Sequence, residues 1–378
     1  MNNLETFVSS HISEFEELLE TLAQIPAPSH HEEKRAEFCK NWLEGIGAKG
    51  VYIDEALNVI YPINCEGKDD IVVFMAHTDV VFPDTEPLPF KKDDEYFYAP
   101  GVGDDTTCLT SLLMATKYII ENKIDTDRGI LIVANSAEEG LGNLKGSKEI
   151  MKDFEGRIKE FYTFDGKYMG IVDKCVGSHR YEVICETEGG HSFGAFGKAN
   201  AIAELSKLIT ELFKVEVPKK EGTKTTYNVG TIEGGTSVNT IAQSAKMLYE
   251  YRSDDAECVE IMENTFKELV KKANDEGKAK FTVNVVGIRP CSKDYDKELH
   301  EKMLENAIKI QEKHSGVPCK RGSGSTDCNA PMSMGVAAVC VGTYKGLGTH
   351  TREECVERAS FPISMKITID VMMQYFKR

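Results

Sequence analysis

The stretch IVVFMAHTDVV, residues 71–81, decides the fold. Its apolar run from Ile71 to Ala76 is unbroken and stops at His77, Thr78 and Asp79. A run this short, apolar at every position, reads as a strand buried on both faces, the kind found inside a parallel sheet. Its polar residues then fall at the carboxyl end. The arrangement comes back three times: GILIVANS (129–136) leads into Glu138 and Glu139, FYTF (161–164) into Asp165, and AAVCVG (337–342) into a glycine-rich loop ending at His350. Helical stretches such as 106–121 separate the runs, as in an α/β sheet. Ligand sites of open α/β sheets gather beyond the carboxyl ends of the strands. Four such ends here carry His, Glu or Asp.

Toward the N-terminus, Leu4, Phe7, Val8, Ile12, Phe15, Leu18, Leu19 and Leu22 keep the spacing of an amphipathic helix that stops at Pro26 and Pro28. A second helix is expected over 31–45. Residues 179–290 have another rhythm. Strand-like YEVICETE, an amphipathic helix from Ala201 to Leu212, strands TTYNVGTI and SAKMLYEYR, a helix over 256–274 and a last strand FTVNVVGI follow in turn. The order β-α-β-β-α-β is that of a ferredoxin-like split unit. The expected organisation is therefore a first domain of 1–178 and 293–378, a mixed α/β sheet flanked by helices, interrupted by an inserted α+β domain of 179–292. A helix over about 294–313 leads the chain back.

The length of 378 residues suits two domains. The 61 acidic against 45 basic residues leave a net charge of −16, without the basic footprint that nucleic acid or an anionic membrane requires. No apolar run approaches the roughly 20 residues of a membrane span. The start, MNNLETFVSSHISEF, has no basic n-region and no apolar h-region, so a cytoplasmic protein is expected. The eleven cysteines, an odd number with no C-x-x-C pair, read as reduced structural thiols.

In chain order the residues able to carry chemistry are His77-x-Asp79, Asp104 of GVGDD, Glu138-Glu139, Asp165 and His350. Singly, each has an ordinary reading: a polar boundary residue, a cap or a solvated turn. Jointly they form a two-metal inventory. Imidazole with carboxylate suits Zn²⁺, with Co²⁺ or Mn²⁺ possible. Two ions about 3.5–4 Å apart need one bridging carboxylate. Asp79 can hold the His77 tautomer from behind, and one of the tandem glutamates can bind metal while the other works as a base. His11, His300 and His314 fall on expected helix surfaces and His30 and His31 in a loop, all read as solvated. His179 is open. GVGDDT and GSGSTD lack the spacing of a nucleotide-binding loop.

The sequence resembles the M20 family of dinuclear zinc aminopeptidases, carboxypeptidases and deacylases, in its peptidase T-like branch. The matching stretches are IPAPSHHEEKR (25–35), MAHTDVV (75–81), YAPGVGDDTTC (98–108), NSAEEGLG (135–142), YTFDG (162–166), EGGHSFGAFGKANAI (188–202), IEGGTSVNTIA (232–242), GSGSTD (322–327) and GTHTREE (348–354). The resemblance implies that His77 and Asp165 hold one zinc and Glu139 and His350 the other. It makes Asp104 the bridge, Glu138 the general base and Asp79 the residue orienting His77, with a cis peptide after Asp104. It also implies that the inserted domain is a lid and dimerisation domain, in which His191 reaches a partner subunit's site while Asn239 and Arg289 bind the substrate end.

By the same resemblance, the chain would be a homodimeric metallopeptidase that hydrolyses an amide bond of short peptides with a free carboxylate, through a metal-bridging hydroxide deprotonated by Glu138. Deacylation of N-acyl amino acids by the same centre is the alternative. A non-catalytic binding protein would need a lost base or ligand, and none is lost. Two departures stand out: Thr106 occupies a position where many members have Lys, and only 26 residues separate His77 from Asp104. The resemblance therefore carries the metal centre rather than strict tripeptide specificity.

Overall fold

The computed structural model describes residues 4–377. The chain divides into two compact units: residues up to Lys174 with those from Lys293 onward, and Cys175–Ser292. The second begins four residues ahead of the expected 179, because its first strand already starts at Gly177.

The first unit is built on an eight-stranded mixed sheet. Its order is Tyr52–Ile53, Val59–Ile63, Gly129–Asn135, Ile71–His77, Ile158–Phe164, Ala337–Val341, Gly170–Cys175 and Lys320–Gly324. Gly129–Asn135, Ile71–His77, Ile158–Phe164 and Ala337–Val341 pair in parallel, so their carboxyl ends share one edge. Strand Ile71–His77 is buried throughout, as a strand covered on both faces must be. Val72, Phe74 and Ala76 enter a core shared with helices Leu4–Gln24, Cys108–Glu121, Lys297–Ser315 and Phe361–Met372. The alternate residues Val73 and Met75 are just as buried on the other face. A small antiparallel sheet joins Gly346–Leu347, Cys355–Glu357, Tyr96–Tyr98 and Lys91–Lys92, and its hairpin carries the loop with His350.

The second unit is a four-stranded antiparallel sheet in the order Thr225–Gly234, Ser244–Ser253, Gly177–Glu186, Lys280–Arg289. Helices Ala201–Leu212 and Ala256–Asp275 supply Leu205, Leu208, Met262 and Phe266 to a core with Val183, Met247 and Tyr249. This is the split βαβ arrangement that the pattern implied. Asn200 and Asp255 start the helices by accepting hydrogen bonds from N–H groups of the first turn.

Three histidines correct the expectation of solvated helix faces. His300 is buried, with Nε2 3.0 Å from the Ala338 carbonyl, and the His314 Nε2 lies 2.7 Å from Asp370. His11 stacks on Phe7 with ring centroids 4.1 Å apart. Helix Lys297–Ser315 packs against both Ala337–Val341 and Phe361–Met372, so positions that a single amphipathic stripe leaves outside become covered. All eleven cysteines are free thiols and nine are buried. Among the described residues, no helix is long and apolar enough to cross a membrane.

Candidate metal centre

Strand Ile71–His77 ends by placing the His77 ring in the buried edge of the sheet. The His77 Nδ1 lies 3.0 Å from the Asp79 carbonyl oxygen and 3.4 Å from its carboxylate. The backbone oxygen thus makes the shorter contact and fixes the tautomer, leaving Nε2 for a ligand. The Asp79 carboxylate has other partners. Its Oδ1 accepts the Glu138 N–H at 2.9 Å, and its Oδ2 accepts the Glu139 N–H at 2.9 Å and the Ser29 hydroxyl at 2.6 Å. One buried side chain therefore clamps the loop carrying both glutamates. Ala137, just before them, has φ of 55°, in the left-handed region uncommon for a side-chain-bearing residue. Burial works against the Asp79 anion, but the hydrogen bonds from His77, Ser29 and Glu139 hold its pKa below the usual carboxylate range.

Asp104 stands between two imidazoles. Its Oδ1 is 3.1 Å from His77 Nε2 and its Oδ2 is 3.1 Å from His350 Nε2. The His350 Nε2 is also 3.0 Å from Glu139 Oε1. The Asp104–Asp105 peptide is cis. Glu354, fully buried, accepts the Gly101 N–H at 2.8 Å and the Asp104 N–H at 2.9 Å, which pins the turn that aims the carboxylate.

Donor atoms fall into two overlapping groups, each within a 4.8 Å spread: His77, Asp104 and Glu139, and His77, Asp105 and Asp165. With His350 in contact with both Asp104 and Glu139, all five residues expected as ligands meet at one sheet edge. Asp105 joins them unexpectedly. Its Oδ2 accepts the His77 N–H at 3.0 Å, while its buried Oδ1 has no hydrogen-bond partner. Asp327 is likewise buried, with Oδ2 2.6 Å from Asn135 Nδ2 and an orphaned Oδ1. Burial, then repulsion from Asp104, pushes the Asp165 carboxyl up to about 7. Burial raises Asp105 well above its ordinary value, and burial followed by repulsion from Asp104 pushes Glu354 up to about 8. A crowd of carboxyl groups strained toward neutrality around two imidazoles is what bound divalent cations relieve. The donor set fits a metal pair.

The peptidase family M20/M25/M40 matches the chain over residues 73–374. The protein belongs to this family. Among M20 relatives, a Schizosaccharomyces pombe M20 domain-containing protein is 24% identical over 240 residues, 61% of this chain but only 58% of that protein's length. Bacillus subtilis YqjE is 24% identical over 386 residues, 94% of this chain and 96% of its own. The crystal structure of aminopeptidase PepT from Bacillus cereus superposes with a TM-score of 0.75 at 22% identity, covering 96% of this chain and 98% of that one. At that identity the likeness is one of fold. Bacillus subtilis YxeP, an M20 protein of the same fold (TM-score 0.66, 13% identity, covering 97% of this chain and 99% of that one), is a dinuclear metal-binding peptidase, and this chain is a hydrolase of the peptidase class.

In the second unit, His191 and Asn239 share a two-stranded ribbon, His191 pairing with Thr240 and the Ser192 N–H bonding the Asn239 carbonyl at 2.9 Å. The exposed His191 ring accepts the Phe193 and Gly194 N–H groups on Nδ1 at 3.3 and 3.4 Å, so its proton resides on Nε2. Arg289 is buried beside Ser178. It lies at the opposite end of strand Gly177–Glu186 from the segment leading to His191, roughly 26 Å away at the usual rise.

Asp105, Asp327, Asn135, Glu354, Ser29 and the buried Arg35, which donates to the Thr78 carbonyl at 2.7 Å, have tasks that the sequence did not announce. All six lie inside the motif stretches, so membership of those stretches was the available signal. Their tasks depend on contacts between distant segments.

Proposed function

We propose that this M20 protein is a dinuclear-metal exopeptidase cleaving an amide bond in short peptides that end in a free carboxylate. The observation that carries this reading is the Asp104 carboxylate with one oxygen 3.1 Å from each of two imidazoles, flanked by Glu139 and Asp165. His77 and Asp165 would hold one cation, Glu139 and His350 the other, with Asp104 common to both. When bound, the cations act as Lewis acids that acidify water and polarise a carbonyl. Glu138 takes the water's proton and delivers it to the leaving amine. Asp79 keeps that glutamate's backbone in register. His191 donates from Nε2–H to the carbonyl oxygen. Arg289, as a two-pronged donor, receives the substrate carboxylate, and Asn239, on the ribbon with His191, binds the substrate end from the other chain.

His191 and Arg289 of one chain are too far apart to serve one short substrate, which favours a homodimer in which His191 acts on the partner's site. The test is direct. Metal-stripped protein reloaded with Zn²⁺, Co²⁺ or Mn²⁺ is given di- and tripeptides and N-acyl amino acids, and amine release is followed. Two metals per chain and peptide turnover restored by metal are expected. Turnover of N-acyl amino acids alone would replace the peptidase reading with a deacylase.

A further inference from the structure

The first unit contains a cavity of about 510 Å³ with Asp104 and Asp165 on its wall. It opens between the turn that follows strand Ile158–Phe164 and the two outermost strands, Gly170–Cys175 and Lys320–Gly324. We propose that this cavity receives the acyl-side residue of the substrate and selects an uncharged apolar group there. The inference rests on the peptidase reading proposed above, in which Asp104 and Asp165 flank the attacked carbonyl.

Three observations carry it. The first is position: a group attached to the carbonyl carbon lies beside the metal ligands, and this cavity shares two of them. The carboxylate end of the substrate is assigned to Arg289, so the acyl side is what remains to be housed. The second is the lining. Met169, Ile171, Val172, Cys340 and Tyr344 form the wall, with Ile171, Cys340 and Tyr344 buried beneath it and Met169 left 41% exposed. An apolar concavity of this size accommodates a branched or aromatic side chain. The third is charge. Asp104 and Asp165 are the only carboxylates among the described lining residues, and both are committed to cations in this reading. The rim is basic: Lys167 and Lys320 form no ion pair with a described residue, whereas Arg321 is paired with Glu301. A cationic side chain entering here meets like charge and no counter-charge, an arrangement that rejects wrong partners.

The experiment compares leucyl-, glycyl-, norleucyl- and lysyl-alanine on zinc-loaded protein, and in parallel the calorimetric binding of 4-methylpentanoate and acetate, which needs no turnover. A leucyl-to-glycyl ratio in kcat/KM of at least about 30 is expected from the buried methyl and methylene groups. Norleucyl should exceed lysyl by about tenfold or more. Met169→Trp, at a partly exposed position outside the core, should collapse the leucyl-to-glycyl ratio and the preference for 4-methylpentanoate. Lys320→Glu should narrow the norleucyl-to-lysyl gap. A wild-type leucyl-to-glycyl ratio near one, or ratios that neither variant moves, would overturn the pocket. If none of the four peptides is hydrolysed, the peptidase reading fails, and the calorimetric preference with its response to Met169→Trp decides the pocket alone.

Discussion

The sheet edge of the first unit and the ribbon of the second carry equally reactive side chains in opposite states. At the edge, His77, Asp79, Asp105 and Glu139 are buried, and Asp79 alone meets three donors. On the ribbon, His191 and Asn239 are exposed, with the His191 ring steadied by two long contacts from its own turn. The fold therefore pre-organises the candidate metal ligands, as rigid strand ends do. The ribbon residues are not enclosed, which suits the proposed reading in which their partner arrives with substrate or with another subunit.

The largest effect should come from the enclosed side of this contrast. Glu138→Gln keeps shape and backbone clamp but cannot take a proton. A fall of about 10²- to 10⁴-fold in kcat is expected, with both metals and the melting temperature retained. Loss of a metal in this variant would make Glu138 a ligand instead. His191→Ala, on the exposed side, should cost about 10²- to 10³-fold, the usual loss for one oxyanion donor. If His191 acts across a dimer, mixing it with Glu138→Gln and allowing subunits to exchange should restore part of the activity. Proven exchange without rescue would return His191 to its own chain.

Amidating the substrate's carboxylate should lower kcat/KM by about 30-fold or more, the scale of a truncated buried charge pair. The acid preference should shrink in Arg289→Lys, which cannot form two parallel hydrogen bonds. Equal rates for acid and amide would remove Arg289 from the site. The smallest effect is expected from Asp79→Asn. It puts an amide where three donors converge and should weaken metal binding about 10- to 100-fold, read by competition with a chelator. An unchanged affinity would mean that the Asp79 backbone carbonyl alone suffices to orient His77.

The same contrast separates what was legible from what was not. Both units announced themselves through local pattern, and the edge residues His77, Glu139, Asp165 and His350 were legible because each follows an apolar run. The role of Asp79 was only half legible. Adjacency to His77 suggested that Asp79 holds the ring, and its carbonyl at 3.0 Å and carboxylate at 3.4 Å both face Nδ1. That the same carboxylate also holds residues 138 and 139 was not legible. The buried His300 was misread because its helix is covered on more than one side.

By itself, the sequence determined the parallel strands, the insertion and the chemistry at the strand ends. Apolar runs, helical spacing and the residue that ends a run are properties of a few consecutive positions. Tertiary structure alone decided that Asp104 turns one oxygen to each histidine, that Glu354 pins a turn 250 residues away, and that Asp327 meets Asn135 across 192 residues. Such contacts join segments with no periodic relation along the chain, and they exist only once the sheet has brought its strand ends to one edge.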